Sequence, residues 1–220
     1  MTKTERLTTY GFLVACLLFL IGAFLWNAAH NGNATADATS SPVHFPAGSS
    51  VELDSSSGDI RYTGEDGVER SIDFGWTGSM TLTVGDSELY MDEDAKQKAK
   101  ELGAQFAEGD DRLLLVTCRL HNTSAVPTNV DFTGTKSFSA SIFGIPGLES
   151  RYFSAATCSP ENHEYFSFQL PTGEELTFTL GYPWQSDKNG MIDKTPSIMT
   201  PGIDGTRGHY QLELGTKSIG

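Results

Sequence analysis

Basic side chains are scarce in this chain of 220 residues, where 15 Lys and Arg face 28 Asp and Glu for a formal charge of −13 at neutral pH. No cluster of Lys or Arg is dense enough to neutralise a phosphate backbone, so binding to nucleic acid by counterion release is excluded. Anionic lipid headgroups are disfavoured on the same ground. The acidity instead keeps an exposed domain soluble, or attracts cations and basic partners. Cysteine is equally sparse, at three residues, with no Cys-x-x-Cys pair and no histidine spaced for co-ligation. No zinc pattern follows, and no cofactor is implied. Gly-x-Ser-x-Gly and the nucleotide phosphate loop are both missing. The five histidines (His30, His44, His121, His163, His209) are scattered, and His163, although flanked by Glu161 and Glu164, reads as part of a solvated loop. These absences argue against an enzyme.

Long apolar runs are missing too, with one exception. Tyr10 to Ala29 reads YGFLVACLLFLIGAFLWNAA, with Lys3 and Arg6 before it and no charge inside. About 20 such residues are needed to cross a bilayer. Trp26 stands near one end, where an indole prefers the interface, and no Lys or Arg follows until Arg61. The asymmetry expects residues 1–9 in the cytoplasm, 10–29 as a transmembrane or signal-anchor segment, and the rest outside the cytoplasm. Two other fates are open: cleavage near Ala34-Thr35-Ala36, or lipidation at Cys16 within Leu13-Val14-Ala15-Cys16. All three mean export.

Residues 30–46, rich in Ala, Asn, Thr and Ser, expect a flexible stalk. Asn33 and Asn122 begin Asn-x-Ser/Thr sites, of use only to a host that glycosylates exported proteins. From residue 47 to 220 short β-like runs alternate with turn residues: Val51–Leu53, Ile60–Tyr62, Ser71–Trp76, Met80–Val84, Leu113–Leu120, Phe138–Phe143, Tyr165–Leu170, Leu176–Tyr182 and Tyr210–Leu214. In Leu113–Leu120 one face carries Leu114, Val116, Cys118 and Leu120. Many short strands with little helix between them point to a sandwich. One helix interrupts them, with Met91, Ala95, Ala99, Leu102 and Phe106 as its stripe, acids at its start and lysines further on. Gly103 or Gly109 ends it, and it is expected to cover one open end of the sandwich.

The stretch Arg112–Thr123, a hydrophobic strand ending in Asn122-Thr123, resembles that of immunoglobulin-like domains of unknown function in Gram-positive lipoproteins and membrane-anchored surface proteins. Leu170 to Tyr182, with its Pro-Thr-Gly-Glu turn and following strand, is similar to a second motif of the same domains. The resemblance covers roughly residues 80 to 214. It implies an all-β, immunoglobulin-like β-sandwich and an extracytoplasmic location, and it implies no activity.

Within that domain the export route permits a disulfide between Cys118 and Cys158. Acidic clusters at Glu65-Asp66, Asp92-Glu93-Asp94 and Glu108-Gly109-Asp110-Asp111 read as solvated turns, since calcium needs six to eight converging oxygens. The Asp187-Lys188-Asn189-Gly190 segment reads as a hairpin turn. Trp76 belongs to the core by its alternation with Ile72 and Phe74, which leaves Trp184, after Pro183 at a strand end, as the candidate for stacking a sugar ring. Gly144-Ile145-Pro146-Gly147-Leu148 holds Ile145 and Leu148 without a periodic reason for burial, so it is the candidate contact loop. The function expected is a membrane-tethered interaction or accessory module at the cell membrane, without catalysis, for a protein or cell-wall partner. The alternatives are a carbohydrate-binding module and an extracytoplasmic hydrolase.

Overall fold

A computed structural model of the chain describes residues 42–64, 67–130, 134–155, 166–186, 195–202 and 209–219. The apolar amino-terminal segment, Asn33, Glu65-Asp66, Cys158, His163 and the Asp187–Gly190 turn lie outside the described residues. Among those described, no helix is long and apolar enough to cross a membrane.

The chain is mostly β. Its largest sheet places β11 (Tyr152–Ala155), β13 (Glu175–Trp184), β7 (Arg112–Asn122) and β6 (Ser79–Met91) side by side and antiparallel. The 13-residue β6 is long enough to take two partners along its other edge. β2 (Ser50–Asp54) pairs with its first half antiparallel, and β16 (Thr216–Ile219) with its second half in parallel. A smaller sheet runs in the order β1 (Val43–Phe45), β15 (Tyr210–Glu213), β14 (Ile198–Pro201), β10 (Phe143–Gly144). Three two-stranded pieces complete it: β3 (Ile60–Thr63) with β4 (Glu69–Ile72), β5 (Trp76–Thr77) with β8 (Val126–Pro127), and β9 (Phe138–Ser139) with β12 (Ser167–Phe168).

Alternation decides which way each sheet faces. Leu114, Val116, Cys118 and Leu120 of β7 are all buried, and so are Leu176, Phe178, Leu180 and Tyr182 of β13. They share one core with Phe143, Met199 and Leu212 of the smaller sheet. Phe143 and Phe178 meet across it at 5.4 Å between ring centres, and Phe178 continues into Phe153 and Phe168 at 5.7 and 6.1 Å. Offset aromatic contacts of this kind hold two sheets together over a wide area. The Tyr182 hydroxyl, at the centre, donates to the Phe143 carbonyl.

Four departures from the sequence reading have physical causes. Val43–Phe45, assigned to the stalk, forms β1 beside Tyr210–Leu212, with the Val43 amide donating to the His209 carbonyl at 2.7 Å. The Ser71–Trp76 run breaks after Ile72, because Gly75 turns the chain at φ +73°. The Phe138–Phe143 run is interrupted by a 3-10 turn over Ala140–Ile142. The helix, α1 (Asp92–Leu102), follows β6 without a linker and stops where Gly103 adopts φ +66° and Ala104 N–H reaches the Ala99 carbonyl. It does not cover an open end. Ala95 and Ala99 lie against Leu113 and Leu115, on the outer face of the large sheet. Small side chains on the helix allow that close approach.

The Arg112–Thr123 stretch and the Leu170–Tyr182 stretch meet at Asn122. Its side chain is fully buried and donates to the carbonyls of Ala125 (3.0 Å) and Leu170 (2.8 Å), while its oxygen accepts from Ala125 N–H (2.7 Å). Its backbone exchanges hydrogen bonds with Gly173 and Glu174. Both amide hydrogens are engaged, so Asn122 is closed to glycosylation in the folded domain. Removing the amide leaves one buried N–H and two buried carbonyls without this partner, at about 1–3 kcal/mol for such a group. Asn122→Ala should therefore lower stability by about 3 kcal/mol, read as a lower urea midpoint at unchanged slope. A loss within experimental error would show that the clasp is dispensable.

Candidate functional site

A one-residue bulge shapes the outer face of the large sheet. Val84 pairs with Cys118 but Ser87 pairs with Val116, so β6 spends one residue more than β7 across this step. The inward series therefore changes from Met80, Leu82, Val84 to Ser87, Leu89. Asp86, Glu88 and Tyr90 are turned outward as a result. Such a slip moves every following side chain to the other face.

Between that bulge and the edge of α1 lies a cleft of about 310 Å3, lined by Asp86, Glu88, Lys98, Leu102, Leu115, Thr117, Tyr152, Ser154 and Thr179. Register explains why residues so far apart in sequence converge. Glu88, Leu115, Gly181 and Tyr152 form one row across four strands. Thr117, Thr179 and Ser154 form the next row, with Thr117 and Thr179 hydroxyls 3.3 Å apart. Gly181 has a specific role in the first row. A Cβ there would lie 2.8 Å from Tyr152 Cβ, 3.2 Å from Tyr152 Cδ1 and 3.3 Å from Leu115 Cδ2. The tyrosine therefore leans across the strand into space that only glycine leaves open.

Each charged group of the cleft has a partner from the protein. Glu88 accepts from the Tyr90 hydroxyl at 2.8 Å. Burial, that hydrogen bond, and the negative charges of Glu88 and Glu101 push the Tyr90 phenol up to about 12, so it remains a donor. Lys98 lies 5.7 Å from the centre of the Tyr90 ring and 3.3 Å from Glu101. Asp86 faces Lys217 at 3.7 Å. These are exposed pairs of small energetic weight, and Glu88 has only the neutral Tyr90 hydroxyl as its partner.

A second polar cluster fixes the start of α1. The acidic groups flanking the helix do meet, because Arg112 opens β7 directly opposite Met91. Arg112 reaches Asp92 at 2.9 Å and Asp111 at 3.7 Å, and Arg151 reaches the buried Asp110 at 2.9 Å. Burial alone would raise the Asp111 carboxyl. Hydrogen bonds from the Ser186 hydroxyl and amide, with the Arg112 guanidinium, outweigh it and hold the group below its ordinary value. Arginines thus stand where a cation would be sought. Among the described residues no three His, Cys, Asp or Glu are grouped as metal ligands would be.

The residues singled out from the sequence fare differently. Trp184 is buried at 7% exposure, as the last member of the inward series of β13, so it offers no surface for stacking. Ile145 is buried at 3% and Leu148 packs against the same core. Their loop is a tight turn, with Leu148 N–H on the Ile145 carbonyl at 3.0 Å and Gly147 at φ +80°. It is not an exposed apolar patch. Trp76 lies in the core and stacks on Phe74 at 5.2 Å. Neither Ile145 nor Trp184 lines the cleft, and the sequence reading proposed none of its members as a site. The one signal for them was the parity change from even to odd apolar positions across Gly85-Asp86.

Cys118 is wholly buried between Val84 and Phe178 in register, and no disulfide is formed among the described residues. Cys158, its expected disulfide partner, lies outside the described residues. No family model, curated protein or solved structure matches this chain. Burial pushes the Cys118 thiol up to about 12, which makes it a poor nucleophile at neutral pH. Iodoacetamide should leave it unlabelled in the folded protein and label it on denaturation without reductant. If denatured Cys118 is labelled only after reduction, it is disulfide-bonded.

Proposed function

We propose that this chain is a non-catalytic binding module, an immunoglobulin-like sandwich carried outside the cytoplasm by its amino-terminal apolar segment. Its binding surface is the outer face of the large sheet beside α1. The observation that carries this reading is the cleft itself. Five separate elements bring polar side chains to one place on that face, where a sheet needs none for folding. The opposite face is committed to the aromatic core. The immunoglobulin-like assignment is supported by two sheets sharing that core and by the clasp joining the two resemblance motifs at Asn122. Export is supported by Lys3 and Arg6 preceding an uncharged apolar run with no basic residue after it until Arg61.

A second reading, a carbohydrate- or wall-binding module, is favoured by Tyr152 and the hydroxyl row. It names a ligand class for the same surface.

Two measurements test the module. Protease added to spheroplasts should digest the domain and leave a short membrane-bound stub, whereas full protection would reverse the topology. A photo-crosslinking residue at exposed Ser154 should capture a partner on intact cells more strongly than one at Ser57, in the turn after β2. Equal capture at both positions would remove the binding surface from this face.

A further inference from the structure

We infer that the cleft binds a neutral saccharide ring, stacked on Tyr152 and hydrogen-bonded by Thr117, Thr179 and Ser154. The inference rests on the reading of the outer face as the binding surface and gives that surface its ligand.

Three features of the site select this chemistry. The first is its division into two rows. Leu115, Gly181 and Tyr152 form the apolar stretch of one row, which Glu88 closes at its far end, and Thr117, Thr179 and Ser154 form a hydroxyl row beside it. A pyranose has the same division, with C–H bonds on a face and hydroxyls round the edge. The rows are two residues apart along each strand, about 6.8 Å, a spacing comparable to the span of one ring.

The second feature is the aromatic itself. Tyr152 is half-buried and held over Gly181, whose missing side chain leaves room for the lean. A ring already fixed by its surroundings gives up little freedom on binding. Tyr152 takes the role that its burial denies to Trp184.

The third feature is charge. Asp86, Glu88 and Lys98 border the cleft, but each has an opposite charge or a donor from the protein itself. An anionic ligand would have to displace Glu101 from Lys98, and a cationic one would have to draw Glu88 from the Tyr90 hydroxyl. A neutral ligand need not, and hydroxyls that both donate and accept suit it. The volume of about 310 Å3 lies at the small end of the about 300–1,000 Å3 of ligand pockets, which fits one ring better than a peptide segment.

The test uses the full chain, solubilised in a detergent without a sugar headgroup. Saturation-transfer NMR would follow maltotriose, cellotriose and chitotriose as probes. At least one trisaccharide should receive magnetisation at its ring C–H protons. Tyr152→Ala should weaken that binding roughly tenfold, and Thr179→Val, which removes a hydroxyl at constant shape, about fivefold. Both variants should keep the thermal midpoint of the parent to within a few degrees, and the valine variant guards against misfolding of the other. No transfer to any of the three sugars would overturn the inference, as would transfer that both variants leave unchanged. Should the sugars fail while a crosslinker at Ser154 still captures a partner on cells, the saccharide falls and the binding module stands.

Discussion

The side chain of Asn122 spends both of its amide hydrogens and its oxygen on backbone groups at the point where β7 leaves the large sheet. Ala125 belongs to the turn that follows, and Leu170 to the segment that leads into β13. The backbone of Asn122 meanwhile bonds to Gly173 and Glu174, at the turn from which β13 departs. One buried residue therefore sets where the two central strands begin to pair. The register that follows, from Glu175 opposite His121 to Trp184 opposite Arg112, is continuous over ten pairs. In a sheet with one buried face, a slip of one residue would turn the core outward. Asn122 is polar, in an apolar place, because only a side chain with donors and an acceptor can satisfy all these groups at once.

The same register builds the outer face. Once β13 is locked to β7, Thr179 lies beside Thr117 and Gly181 beside Leu115, and β11 then adds Ser154 and Tyr152 to the same two rows. The bulge at Gly85-Asp86 contributes from the other side. It keeps the first half of β6 facing the core through Met80, Leu82 and Val84, and re-aims the second half so that Glu88 and Tyr90 meet α1. Helix and cleft are thus consequences of strand geometry. A site on strands is held more firmly than one on loops.

Much of the fold was legible in the sequence because alternation survives wherever one face is buried. The even-numbered apolar residues of β7 and β13 identify both strands and their inward faces, and the stripe through Ala95 and Ala99 identifies the helix. Trp184 shows how the same rule can be applied too weakly. It continues the series Leu176, Phe178, Leu180, Tyr182, yet its position after Pro183 at a strand end favoured exposure. Ile145 and Leu148 were misread for the opposite reason: a Pro-Gly turn brings both side chains back onto the core within four residues, and no periodicity spans so short a distance. The cleft was not legible at all. Its residues come from five elements, and their meeting depends on pairings between strands and on a bulge whose trace is a single change of parity.

The acidic character of the chain finds its physical place in this arrangement. Asp92, Asp110 and Asp111 gather near the start of α1, where an acidic cluster could suggest a cation site. The guanidinium groups of Arg112 and Arg151 already lie among them. Arg151 also donates to the Pro183 carbonyl at 3.0 Å, so it ties the loop after α1 to the end of β13. A planar guanidinium makes several fixed hydrogen bonds where a bound ion would need more oxygens than are gathered here. Structural arginines therefore absorb the acids that lie closest together, and the remaining negative charge is spread over the exposed surface. With Asp86 and Lys98 paired as well and Glu88 holding the Tyr90 hydroxyl, the outer face can present a hydroxyl-lined recess on a protein of strongly negative charge. Such a recess discriminates by shape and hydrogen bonding, and its affinity for a neutral ligand should change little with salt, since no ion pair is made or broken on binding.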